Sequence, residues 1–142
     1  MKNLIFLGAA LSLAIVSCQN KQTQNNDQKL SEKAIALHDE IMPEISHFDK
    51  STILIDSVLT NLAVIKENKA DLDTTNTRHD LNNLKDSIEN ATDNMMTWMK
   101  DYDTKNEDEA YQQKEVDKIN ALKGQFDRVS EQIKTLLAPF NQ

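Results

Sequence analysis

The sequence has little of what disulfides, tight turns and sheets require. Its 142 residues include one cysteine, Cys18, which excludes an internal disulfide and a cysteine-rich zinc site. Only two glycines and two prolines occur, and after the first 17 residues these are Gly124, Pro43 and Pro139. An all-β fold needs more of both in its hairpins, so the composition favours long helices.

Basic side chains are also scarce. The chain has 16 Lys and Arg against 23 Asp and Glu, for a net charge of −7. Without residues 1–17, which hold Lys2 and no acid, the charge becomes 15 − 23 = −8. Because Lys and Arg drive binding to phosphates, this balance argues against nucleic acid and against adhesion to anionic lipid.

The first 17 residues predict a secretion signal. Lys2 precedes an apolar run from Leu4 to Val16, which is shorter than the ~20 residues that span a bilayer. Small Ser17 and then Cys18 follow, and Ile15-Val16-Ser17-Cys18 resembles the lipobox of bacterial lipoprotein precursors. The resemblance implies cleavage between Ser17 and Cys18 and lipidation of Cys18. The alternative is an ordinary cleaved signal with an incidental cysteine.

Residues 18–29 are predicted to be the lipidated cysteine and a flexible tether. The segment after Cys18 is almost wholly polar, so it offers nothing to bury. Gln19 follows the cysteine, which by resemblance to Gram-negative lipoproteins indicates the outer membrane. An acidic surface-export run is missing, and this favours the periplasmic face.

Residues 30–142 are predicted to form a bundle of three helices. In the first, residues 30–67, apolar side chains recur every three or four positions, and Pro43 is expected to kink or break the helix. A strand over 53–55 is the alternative there. A loop over 68–77 and a cap at Thr77 precede the second helix, 78–102. Its seam follows the spacing 3, 4, 3, 4, 3, 4: Leu81, Leu84, Ile88, Ala91, Met95, Trp98 and Tyr102.

The third helix is predicted over 107–138, with Asn106 as its N-cap and Pro139 as its stop. Its seam is Tyr111, Glu115, Ile119, Leu122, Phe126, Val129, Ile133 and Leu136. The fold class is therefore all-α, an antiparallel three-helix bundle with coiled-coil-like packing. An oligomeric coiled coil is the second possibility, and the oligomeric state stays open.

Two groups of residues suggest metal chemistry. Glu44 and His47 form one Glu-x-x-His pair, but di-iron bundles need two, so a solvated helix flank is the better interpretation. Thioether and imidazole ligands suit Cu(I), and a soft-metal site could draw on five residues: His38, Met42, His47, Met95 and Met99. The main expectation is that Met95 and Trp98 belong to the core, with no cofactor.

The His38-Asp39-Glu40-x-Met42-Pro43 segment, the Met95-Met96-x-Trp98-Met99-x-x-Tyr102 segment and the acidic start of the last helix resemble a group of small helical Bacteroidota lipoproteins. These are often labelled hypothetical or viral A-type inclusion proteins. The resemblance implies a helical fold and a location in the cell envelope, and it implies no activity. Since no phosphate-binding glycine loop and no nucleophile paired with a base occur, we expect no catalysis. The prediction is a lipid-anchored envelope protein with a protein-interaction or structural role, or alternatively Cu(I) binding.

Overall fold

A computed structural model gives the backbone of residues 19–140 and the side chains of residues 26–140. The predicted signal peptide, its cleavage point after Ser17 and the lipidated Cys18 lie outside these described residues. Three helices pack against one another: α1 (Gln19–Asn68), α2 (Thr74–Asp101) and α3 (Glu109–Leu137). A short 3₁₀ turn, Ala138–Phe140, follows. The all-α prediction is confirmed, and residues 19–140 contain no strand.

Consecutive helices run antiparallel. Ser31 of α1 contacts Tyr102 at the end of α2, whereas Asp56, further along α1, pairs with Lys85, nearer the start of α2. By contrast, positions rise together on α1 and α3: Ser130 bonds to Glu44 in mid-helix, and Lys69, just after α1, donates to the Pro139 carbonyl, just after α3. The chain therefore runs up, down and up, and the first and third helices are parallel.

The predicted seam of α2 is confirmed. All its members up to Trp98 are buried, and Tyr102, at the C-cap, is half-buried. On α1, the most buried apolar residues repeat every seven positions: Ala34, Ile41, Phe48, Ile55 and Leu62. Phe48 stacks on Phe126 of α3 with ring centroids 4.9 Å apart, which fixes the centre of the core. The strand alternative at 53–55 is wrong, because these residues lie within α1.

Pro43 does not break α1, which continues through it. Proline removes one backbone donor and crowds the preceding turn, which costs ~3 kcal/mol in a helix interior. Ile41 and Phe48 are buried on either side of Pro43, and this burial offsets the cost. Of the two outcomes expected at Pro43, the break is therefore wrong.

Both predicted N-caps are wrong. Helix α2 begins at Thr74, because Asp73 Oδ1 accepts from the backbone N of Thr75 and of Asn76, each at 3.0 Å. Helix α3 begins at Glu109, where Asp108 caps it with a 2.8 Å bond from Ala110 N.

Asn106, the predicted cap of α3, instead closes a turn before the helix by accepting from Asp108 N at 2.9 Å. Residues 107 and 108 therefore precede the helix rather than forming its first turn. At the other end, α3 stops at Leu137, and Pro139 lies in the 3₁₀ turn. Leu137, rather than the predicted Leu136, is the fully buried member of the last turn.

The start of α1 also differs from the prediction. The helix begins at Gln19, eleven positions (30 − 19) before the predicted start at Leu30. Where side chains are described, Asp27 is 6% exposed and Ser31 is 9% exposed, so this turn packs against the bundle. The use of residues 18–29 as a tether stays a prediction.

Candidate functional site

Stacked aromatic rings and side-chain hydrogen bonds lie together at the end of the bundle where α2 stops and α3 starts. We call this the tyrosine end. Four rings form a continuous stack there. His38 stacks on Trp98 at 5.9 Å between centroids, Trp98 on Tyr102 at 4.7 Å, and Tyr102 on Tyr111 at 6.5 Å. Offset stacking of this kind adds to the burial energy of the rings. The stack thus joins all three helices at one level.

A hydrogen-bonded chain runs beside the stack. The Tyr102 hydroxyl lies 2.9 Å from Ser31 Oγ and 2.9 Å from Gln112 Oε1. The amide oxygen of Gln112 can only accept, so the single Tyr102 proton goes to it. The Ser31 hydroxyl then donates to the Tyr102 oxygen. These hydrogen bonds therefore connect α1, the C-cap residue of α2 and α3.

The Gln112 side chain is fully buried and also holds the α2–α3 loop. Its Nε2 donates to the carbonyl oxygen of Asn106 at 2.7 Å and to that of Asp103 at 3.3 Å. The Tyr111 hydroxyl accepts from Asp103 N at 2.8 Å. Two side chains of α3, Tyr111 and Gln112, thus hold the backbone of the loop at Asp103 and Asn106. The loop has a fixed conformation and forms a wall beside α1.

A cleft of about 630 Å³ opens between this wall and α1. It is lined by Asp27, Gln28, Ser31, Glu32, Thr104, Lys105, Asn106, Glu107 and Gln112. We call it the α1–loop cleft. Asp27 Oδ1 is buried and has no hydrogen-bond partner. A buried carboxylate oxygen without a partner is costly, and among the described residues Asp27 Oδ1 is the one buried carboxylate oxygen that has none.

Burial raises the pKa of Tyr102 above its ordinary value. The hydrogen bond from Ser31 acts in the opposite direction, because it stabilises the phenolate, and the nearby Glu115 adds a smaller upward contribution. Tyr102 is therefore a neutral donor at physiological pH, which is the state that its bond to Gln112 requires.

A second cleft, of about 560 Å³, lies between α2 and α3 and includes Trp98, Glu115, Lys118 and Leu122 in its lining. Glu115 is 3% exposed, and its Oε1 accepts from Lys118 Nζ at 2.6 Å. The Trp98 indole nitrogen is buried without a partner. Glu115 already has a cationic partner, and Asp101, the other carboxylate of the lining, is exposed to solvent.

The five residues of the predicted soft-metal site differ in burial. Met95 is fully buried, as the core interpretation expects, and Met42 packs partly buried against the same core. Met99 is 40% exposed. His38 contacts Trp98, which lies next to Met99 in the chain, so this end of α1 meets this end of α2.

The two histidines of that prediction differ. His38 Nε2 is buried without a partner, and its Nδ1 lies 3.0 Å from Asp39 Oδ1. His47 is exposed and lies nine positions further, ~13.5 Å along α1, so it does not join His38.

The two residues of the Glu-x-x-His pair also lie in different environments. Glu44 Oε2 accepts from Ser130 Oγ at 3.0 Å and so ties α1 to α3, while His47 is exposed. Between residues 26 and 140, no three His, Cys, Asp or Glu side chains are grouped so as to hold a metal ion. That search does not include methionine, so the Cu(I) alternative stays a prediction.

No protein-family model, curated protein or solved structure matches this chain. The resemblance to small Bacteroidota lipoproteins therefore stays an expectation. Among the described residues, no helix has a segment long and apolar enough to cross a bilayer.

Proposed function

We propose that this protein is a lipid-anchored protein of the cell envelope that binds another envelope protein through the outer face of α1, without catalysis. The anchor rests on the sequence. Cys18 follows an apolar run of signal-peptide length and is the only cysteine. Two or more acyl chains on one residue give stable attachment at ~0.8 kcal/mol per buried methylene.

The observation that carries the interaction is a set of three exposed aliphatic side chains on the solvent side of α1, which we call the apolar row; charged residues such as Asp39 and Asp49 lie between them. Ile35, Ile53 and Val64 are 40%, 70% and 57% exposed. They are 18 and 11 positions apart (53 − 35 and 64 − 53), which is close to five and three helical turns, so they project from one side. That side is opposite Ile55 and the buried row. Exposed aliphatic side chains aligned over ~44 Å suit an extended helical partner.

The interaction can be tested by photo-cross-linking. A benzoylphenylalanine placed at Ile53 should trap a partner in intact cells, and the same residue at Glu89, exposed on α2, should trap much less. An Ile53→Lys change should weaken recovery of the trapped partner when the cross-linker is placed at Val64. A product of twice the chain mass would identify a second copy as the partner. Equal yields at Ile53 and Glu89 would refute the role of this face.

The anchor has a separate test. A Cys18→Ala variant should keep its helical circular dichroism, because the apolar core described by the structure is built from residues between Ala34 and Leu137, and it should lose its membrane association. Metabolic labelling with palmitate should mark the unmutated protein and not the variant. If the variant stayed membrane-bound with its leader removed, the lipoprotein interpretation would be wrong.

A second candidate function, Cu(I) binding, is favoured by one observation: the buried and unpartnered His38 Nε2 close to the methionine-bearing end of α2. Imidazole and thioether are ligands that Cu(I) prefers. Competition with a chromophoric Cu(I) chelator should show binding that a His38→Gln, Met99→Leu double variant loses. His47→Gln is the matched control, since this histidine lies away from the group. Failure of the unmutated protein to compete would exclude this function.

A further inference from the structure

The α1–loop cleft contains a carboxylate at a place where the fold uses apolar side chains. Asp27 is seven positions before Ala34, so it continues the buried row that runs through Ile41, Phe48 and Ile55. Like the rest of that row, Asp27 is almost fully buried, at 6% exposure. A leucine or isoleucine there would bury apolar surface favourably, whereas a carboxylate must give up its hydration.

The other buried polar groups of the cleft are already satisfied inside the protein. Ser31 bonds to Tyr102, and Gln112 uses both its amide oxygen and its amide nitrogen. Asp27 Oδ1 alone has no partner. Among the buried groups of the cleft, the hydrogen-bonding capacity that remains is therefore that of an anionic acceptor.

The charges around Asp27 add to its own. Glu32 and Glu107 also line the cleft, and among the lining residues whose side chains the structure describes, Lys105 is the only basic one. The lining thus carries a formal charge of 1 − 3 = −2. A low-dielectric wall concentrates such a field and favours a cation at the carboxylate.

We propose that the α1–loop cleft binds a primary ammonium group, with Asp27 as its counter-ion. An ammonium has one charge and three donors, so one buried carboxylate and neighbouring oxygens satisfy it. A calcium ion needs six to eight oxygen ligands, and the described residues offer no group of three carboxylates for a metal. The cleft volume of about 630 Å³ leaves room for the chain that carries the ammonium.

Two sources have this chemistry: a free small amine and a lysine side chain of a neighbouring protein. Calorimetric titration of the full chain with 1,5-diaminopentane tests the first, with 1,5-pentanediol as the uncharged control of equal length. Nα-acetyl-lysine amide tests the second, with its Nε-acetylated form as control. We expect at least one amine to bind and both neutral controls to fail.

Four variants locate the binding. Asp27→Asn should lower the affinity for the amine at least tenfold. Glu107→Gln, on the exposed rim of the cleft, should lower it about two- to threefold. Glu67→Gln, at the opposite end of α1, should leave binding unchanged. Asp27→Leu should abolish binding and raise the unfolding temperature, a combination that a purely structural aspartate would not give.

The proposal is overturned if neither amine binds more tightly than its neutral control. It is also overturned if Asp27→Asn and Glu107→Gln bind as well as the unmutated protein. The outcome is independent of the proposed interaction face, because Ile53→Lys should lose the envelope partner and keep the amine.

Discussion

Tyr102→Phe tests whether the hydrogen-bonded chain at the tyrosine end stabilises the fold. The change removes one oxygen and leaves the ring stacked on Trp98 and Tyr111. Gln112 Oε1, in a fully buried side chain, loses its donor, and the Ser31 hydroxyl loses its acceptor.

The magnitude follows from these two losses. A buried polar group left without its partner costs about 1–3 kcal/mol. Ser31 can still turn to the carbonyl of the preceding helical turn, so most of the loss falls on Gln112. We therefore expect Tyr102→Phe to lower the free energy of unfolding by about 2–3 kcal/mol. Ser31→Ala should cost less, about 1 kcal/mol, since Tyr102 then keeps its bond to Gln112.

Urea unfolding followed by circular dichroism measures both variants and their combination. If the chain is cooperative, the double variant should lose less than the sum of the single losses, with a coupling of about 0.5–1 kcal/mol. Tyr111→Phe is the control for removal of a tyrosine hydroxyl, because its hydroxyl accepts only one bond at an exposed loop. A loss below 0.5 kcal/mol for Tyr102→Phe, or an equal loss for Tyr111→Phe, would refute the reasoning.

Three further predictions concern single positions. Gly124→Ala should stabilise α3 by about 0.5–1 kcal/mol in thermal or urea unfolding, because an added Cβ meets nothing closer than 3.5 Å. Pro43→Ala should stabilise α1 by about 1–3 kcal/mol, since it restores a donor for the Asp39 carbonyl; a loss of stability would show that Pro43 is required. Absorbance titration of a Tyr111→Phe variant should show Tyr102 ionising above the usual pKa of tyrosine. The contribution of Tyr102 to stability is then fully present below the unfolded pKa of ~10 and is lost as pH rises through the folded pKa.

The middle segments of the helices could be predicted from the sequence, because burial of one helix face makes apolar residues recur with the period of the helix. On α2 every seam residue from Leu81 to Trp98 is buried, and this helix also has no internal proline or glycine. The pattern of α1 also has a helical period, but it ends where the apolar residues end. Asp27 occupies a position of the buried row with a polar side chain, so the apolar pattern placed the helix start at Leu30, eleven positions after Gln19.

The helix starts could not be derived as reliably, because several residues competed for each cap. Asp73 and Thr77 are both good N-caps, and so are Asn106 and Asp108. At the first pair the earlier residue caps the helix, and at the second pair the later one does. The deciding term is tertiary: Gln112 must reach the carbonyl of Asn106, which requires that this residue remain in the loop.

The candidate site depends on contacts that no local pattern encodes. Ser31 and Tyr102 are 71 positions apart, and neither belongs to a recognisable motif. Gln112 was missed because a glutamine beside a seam usually faces solvent, yet it is among the most buried side chains. The one available signal was Tyr102 itself, a seam residue whose hydroxyl needs a partner once it is buried.

The position of Asp27 connects the two proposals. It lies nine positions after Cys18 (27 − 18), so a lipid on Cys18 would hold the α1–loop cleft within ~32 Å of the membrane surface even if the intervening chain were fully extended. The apolar row on α1 begins at Ile35 and leads away from that end. A protein anchored in this way presents its anionic cleft next to the bilayer and its interaction face further out. The two surfaces can therefore be occupied at the same time, and a bound amine should change partner recovery only if it also alters the packing of α1.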